Sequence, residues 1–186
     1  MSVKIDDLRQ LIDDHFEREE FDKSLQYCNV LLQEHAADIT FDDIFKKGLC
    51  HYKLDDNSKA IECFDRALAI KPDNILALTN KGICLYCLDR ISEAFAIFNR
   101  VLKANPNVFP AWYYIGLYYL EKFSQTGDAK AKAVVITAYR QVVRMAPDFG
   151  TFPIYDPNKK IDYKLDLFLL MHDDMPDLTV DDITSI

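Results

Sequence analysis

The sequence predicts an all-α fold of stacked helix pairs, and three observations point to it. Gly48, Gly82 and Gly116 recur at an interval of 34 residues, a period that belongs to repeat architectures. Within each interval, apolar residues fall three and four apart, which places them on one face of a helix. Only 5 Gly and 7 Pro occur in 186 residues, too few for a chain that must turn tightly between many strands.

Residues 5–38 form the least regular unit. Ser24, Cys28 and Leu31 align with Ala60, Phe64 and Ala67 of the unit that follows, with about two extra residues between the two. An end unit faces water on one side, so its pattern departs from the rest. Residues 41–74 and 75–108 superpose without a gap. Lys47 pairs with Lys81, Gly48 with Gly82, Cys50 with Cys84, Tyr52 with Tyr86 and Asp55 with Asp89, and further on Ser58 with Ser92, Ala60 with Ala94, Phe64 with Phe98 and Pro72 with Pro106.

Each of these units reads as a first helix over 42–54, an Asp-rich turn, and a second helix over 58–70 stopped by Lys71-Pro72-Asp73. Gly48 and Ala60 are expected where the two helices cross, because a larger side chain there would force them apart. Phe64 and Leu68, one turn apart, give an apolar stripe that one unit cannot bury alone, so units must stack. Residues 109–148 open with Trp112, Ile115, Gly116 and Tyr119. Tyr139 and Pro147 then fit only if about seven residues are inserted, and the run Ser-Gln-Thr-Gly-Asp within 124–130 reads as the loop that holds them.

On these residues the chain resembles the tetratricopeptide repeat family. Gly48, Ala60, Phe64, Ala67 and Pro72 match the family pattern in one unit, Gly82, Ala94, Phe98 and Pro106 in the next, and Trp112, Ile115, Gly116 and Tyr119 in the fourth. The resemblance implies a right-handed α-solenoid of about four helix pairs, 5–38, 41–74, 75–108 and 109–148, with a capping helix. Residues 160–172, where Ile161, Leu165, Phe168 and Leu169 keep helical spacing, are the candidate cap; a place in the concave groove is the alternative for that segment. The solenoid domain is then 1–172. Residues 173–186 carry five Asp and no Lys or Arg and read as a mobile acidic tail.

Charge and composition narrow the function. With 22 Lys+Arg against 30 Asp+Glu the net charge is −8, which argues against nucleic acid as a partner. No apolar run is long enough to cross a bilayer, and the first residues do not resemble an export signal, so neither membrane insertion nor secretion is expected. An odd number of cysteines, 5, fits free thiols in a reducing, cytoplasmic setting.

In tetratricopeptide proteins one face of each first helix lines the concave surface. Carried onto this chain, that face presents Phe45, Leu49 and Tyr52 in the second unit, then Leu76, Thr79, Ile83 and Tyr86 in the third, and Tyr113, Leu117 and Leu120 in the fourth, with Asn80 a separate candidate for bonding a ligand's backbone. The implied groove is apolar and aromatic, and Phe45, Tyr86 and Tyr113 are its expected anchors. The bland alternative is that these side chains pack against neighbouring repeats.

Family members that grip acidic carboxyl termini use a set of Lys, Asn and Arg side chains, of which only Asn80 is present, so that ligand class is set aside. Cys84-x-x-Cys87 falls within one helix and has no partner pair, and no phosphate loop or nucleophile motif occurs. No catalytic residue, metal or cofactor is therefore expected. The resemblance implies a non-enzymatic protein–protein interaction module, an adaptor binding a partner's peptide or helix. A dedicated chaperone for an apolar client, such as a secretion chaperone, and a self-assembling homo-oligomeric scaffold are the alternatives.

Overall fold

The computed structural model describes residues 3–146 and 177–184, and every ordered element in that range is helical. The chain divides into two compact units, residues 1–94 and 95–186. In the first unit, α1 (Ile5–Glu17) packs on α2 (Phe21–Glu34), and a short 3-10 turn (Ala36–Asp38) leads to α3 (Phe41–Lys53), which packs on α4 (Asn57–Ile70). Contacts of α2 with α3, and of α4 with α5 (Ile75–Cys87), join successive pairs. Helix α6 (Ile91–Ala104) crosses the division. The second unit continues with α7 (Phe109–Thr126), α8 (Ala129–Met145) and a short α9 (Val180–Thr184).

Local chemistry fixes the helix ends. Thr40 and Asp43 form a capping box at α3, Asp56 accepts the Lys59 N–H at α4, and Asn74 accepts the Ala77 N–H at α5, 2.9 Å away. Each satisfies a backbone donor that has no partner inside its helix. Pro110 stands in the first turn of α7, where a missing N–H costs nothing, and Gly127 ends that helix at φ 66°.

The expected helices over 42–54 and 58–70 match α3 and α4 to within a residue. The loop expected over 124–130 does not form. Helix α7 runs 18 residues where α1, α3 and α5 run 13, and α8 runs 17 where α2 and α4 run 14. The inserted residues lengthen both helices, leaving Gly127 and Asp128 as the turn. Nothing in the 124–126 stretch breaks a helix, so the hydrogen-bonded ladder continues to the first glycine.

Two buried clusters build the core of the first unit, and Ile39 packs against both. Leu8, Ile12, Cys28 and Leu31 form one buried cluster, and Phe41, Ile44, Cys63, Ala67 and Ala77 another. Gly48 lies against Phe64, as the expected crossing requires: a Cβ there would stand 2.7 Å from the Phe64 ring. The buried Ser24 hydroxyl is paired, its Oγ donating to the Ile12 carbonyl at 2.9 Å and accepting from Cys50 Sγ at 3.3 Å. In the second unit, Trp112 Nε1 donates to the Pro106 carbonyl, 2.7 Å away, and pins the start of α7 to the preceding turn. The candidate cap at 160–172 lies outside the described residues.

Candidate binding groove

In the first unit, α1 and α3 flank an open cleft of about 570 Å³. Phe45 and Leu49, one turn apart on α3, contribute apolar surface, and Ile12 contributes more from α1. Phe45 is half-buried, its ring stacked 5.5 Å from Phe41 and tilted 5.6 Å from Phe64. Two further rings thus fix its orientation.

Charged side chains complete the cleft. Arg9 Nε donates to Asp43 Oδ1 at 2.9 Å and Arg9 Nη2 to Asp43 Oδ2 at 2.8 Å. Lys46 Nζ lies 2.9 Å from Asp13 Oδ1 and 4.9 Å from the centre of the Phe16 ring. Burial tends to raise the Asp43 carboxyl, but Arg9 and the N–H and O–H of Thr40 hold it below the usual carboxylate range. Both cations already face a carboxylate. Besides the apolar and aromatic side chains expected there, Arg9, Asp13, Asp43 and Lys46 line this end.

The remaining expected residues differ in what they present. Tyr52 and Ile83 are half-buried, and Leu76 is 64% exposed. Asn80 is half-buried and its Nδ2 donates to the Leu76 carbonyl of its own helix at 2.8 Å. In the second unit, Tyr113 is half-buried and stacked on Phe109, ring centres 6.1 Å apart. Tyr86 and Leu117 are corrections, for at 5% and 2% exposed neither offers a face to a ligand. Helical phase puts them on the expected stripe, but phase alone does not say how far neighbouring side chains close over a position.

The acidic end behaves unlike a purely solvated tail over residues 177–183. Arg140 Nη1 on α8 lies 2.8 Å from Asp177 Oδ1, Leu178 N–H donates to Thr137 Oγ1 at 2.9 Å, and Ile183 is buried. Cys28, Cys50, Cys63 and Cys84 are buried free thiols and Cys87 is half-buried. Burial pushes Cys84 up to about 12, with Cys87 adding to the shift, so it is a protonated thiol at neutral pH. Among the described residues no group of three or more His, Cys, Asp or Glu is placed to hold a metal. No helix among them is long and apolar enough to cross a membrane.

The tetratricopeptide repeat family model matches residues 45–74. Solved structures share the fold at low identity. A crystal structure of MamA aligns with a TM-score of 0.65 and 13% identity over 80% of this chain and 82% of that one. MamA from Desulfovibrio magneticus RS-1, residues 41 to the end, aligns at 0.63 and 22% over 77% and 76%. YrrB, described as a TPR protein with an unusual peptide-binding site, aligns at 0.61 and 19% over 74% and 66%. No curated protein sequence matches the chain. The chain carries a tetratricopeptide repeat at residues 45–74 and has the all-helical fold of tetratricopeptide repeat proteins.

Proposed function

We propose that the chain is a non-enzymatic adaptor that holds a partner's peptide or helix in the groove between α1 and α3. The cleft carries the reading: Phe45 and Leu49 offer an apolar surface on a rigid helix, bordered by carboxylates that can accept main-chain N–H groups. A ring already braced by Phe41 and Phe64 loses little freedom when a ligand covers it, so more of its contact energy appears as affinity. Leu76 and Ile83 extend the candidate surface on α5, and Tyr113 is the candidate on α7. The unusual peptide-binding site of YrrB supports a peptide as the ligand class. Five free thiols support a reducing, cytoplasmic setting, and the net charge of −8 speaks against nucleic acid.

A random peptide library selected against the full chain tests this reading. Enriched peptides are expected to bind Phe45→Ala and Leu49→Ala at least about tenfold more weakly, about 1.4 kcal/mol, with helical content unchanged. Lys46→Ala reads the charged border without touching the aromatic packing. Peptides that hold all three variants as tightly as the unaltered chain would place the site elsewhere.

A further inference from the structure

Helix α8 carries Lys130, Lys132, Arg140 and Arg144 and no carboxylate side chain, in a chain whose net charge is −8. Residues 177–184, Asp-Leu-Thr-Val-Asp-Asp-Ile-Thr, carry three carboxylates and no cation. The structure brings the two together. Asp177 Oδ1 meets Arg140 Nη1 at 2.8 Å, and the next residue, Leu178, donates its main-chain N–H to Thr137 Oγ1 at 2.9 Å. Thr137 is fully buried, at 0% exposed, so its hydroxyl is a fixed acceptor and not a solvated surface group. Ile183 is 1% exposed and anchors the far end of the segment.

Between those points the segment builds its own shape. Thr179 N–H and Oγ1–H donate to Asp182 Oδ2 at 2.8 Å and 2.6 Å, and the Asp182 N–H returns to Thr179 Oγ1 at 3.2 Å. This capping box opens α9, which has only 5 residues. A helix so short does not persist alone in water, so its order depends on the surface it meets. The segment offers three features: a carboxylate that meets Arg140, a main-chain N–H one residue later that meets Thr137, and a buried aliphatic side chain five residues beyond that.

We propose that the face of α8 bearing Thr137 and Arg140 is a second docking site, built for a short acidic segment ending in an aliphatic anchor, and that residues 177–183 occupy it in cis as a displaceable strap. The contacts suit exchange. The ion pair is partly solvated, with Arg140 at 28% and Asp177 at 47% side-chain exposure, and salt weakens such a pair. A partner segment with the same three features competes for the same groups, and the strap lowers its apparent affinity by the fraction of time the site is filled.

The experiment titrates a fluorescein-labelled peptide of residues 173–186 into the full chain, unaltered or carrying Ile183→Asp or Asp177→Arg. Ile183→Asp removes the buried anchor. Asp177→Arg changes an exposed side chain, so it leaves the fold in place if the first variant proves unstable. If the strap fills the site about nine-tenths of the time, releasing it tightens peptide binding about tenfold. Adding Arg140→Glu to either released variant is expected to abolish that binding, and raising salt to weaken it.

Three results would overturn the proposal: no peptide binding to either released variant, equal binding to released and unaltered chains, or binding that persists with Arg140→Glu. Hydrogen exchange on the unaltered chain gives an independent reading. The Leu178 and Ile183 amides are expected to be protected, and exchange at the rate of an unstructured peptide would also overturn it.

Discussion

Arg9 and Asp43, one repeat length apart in sequence, meet through two hydrogen bonds of 2.9 Å and 2.8 Å that tie α1 to α3. The same carboxylate accepts the Thr40 N–H at 2.9 Å and the Thr40 hydroxyl at 2.8 Å, so one side chain both joins successive repeats and opens a helix. Its exposure is 6%, against 33% for Arg9. Losing the carboxylate therefore leaves Arg9 with water to turn to, whereas the helix start loses its acceptor.

Asp43→Asn keeps one acceptor oxygen but loses the charge that faces Arg9, and is expected to lower stability by about 1–3 kcal/mol, the range for disrupting a charge-assisted hydrogen bond. The folded carboxyl titrates below its unfolded value, so the native state binds the proton less readily than the unfolded chain. The charge contribution is complete above the unfolded value, about pH 4, and fades as pH falls through the folded one. Urea unfolding of both proteins at about pH 7 and about pH 3 checks this. The gap should be wide at the higher pH and narrow at the lower, and a gap independent of pH would show that the charge contributes nothing.

The turn after the first helix of three pairs repeats one backbone feature. Glu19, Asp55 and Asp89 have φ of 59°, 60° and 59°, the left-handed region. Asp tolerates it, and Asp55 Oδ1 also accepts from Asn57 Nδ2 at 3.0 Å. Glu is a poorer occupant of that backbone. Glu19→Gly should therefore raise stability by about 0.5–1 kcal/mol after the extra freedom of glycine in the unfolded chain is subtracted, a melting shift of about 1–4 °C. Asp55→Gly should gain less because it removes the bond to Asn57. Equal gains at both positions would mean that the side chains play no part in the turn.

The repeat frame was legible because glycine, alanine and phenylalanine at fixed spacing record where helices must touch. Gly48 and Phe64 do touch. The groove was legible only in part. Phe45 and Leu49 line the cleft, but Tyr86, on the same stripe by phase, is buried. Depth depends on what the neighbouring helices place over a side chain, and no periodicity within one helix carries that information. The Arg9–Asp43 pair was not legible in the repeat pattern, because the two extra residues of the first unit align Arg9 with Phe45 and not with Asp43.

At the acidic end, composition masked a local signal. Thr179-Val180-Asp181-Asp182 has the same Thr-x-x-Asp form as Thr40-Phe41-Asp42-Asp43, and both make capping boxes in the structure. Five Asp in 14 residues suggested a solvated tail, whereas the box and the aliphatic residue one position later pointed to a short ordered element.

Gly48 and Gly116 hold equivalent positions, yet the structure predicts different outcomes for alanine at each. At Gly48 an added Cβ would stand 2.7 Å from Phe64 Cε1, 2.9 Å from Cδ1 and 3.1 Å from Cys63 Cβ. Phe64 is fully buried, with Phe45 against it, so its ring has little room to retreat. At Gly116 the nearest atoms are Tyr139 Cε2 at 3.0 Å, Cζ at 3.2 Å and Ala138 Cβ at 3.4 Å, gaps that a shift of a few tenths of an ångström relieves. Alanine favours the helix over glycine by about 1 kcal/mol in both cases, while overpacking costs about 1–3 kcal/mol where the neighbours cannot move. Gly48→Ala is thus expected to lose up to about 2 kcal/mol and Gly116→Ala to change little. Denaturant unfolding of both, and of Gly48→Ala in a Phe64→Leu background, separates the causes. If the ring contact sets the cost, the smaller side chain should recover part of it, and an undiminished loss in the double variant would show that Phe64 is not what requires glycine at position 48.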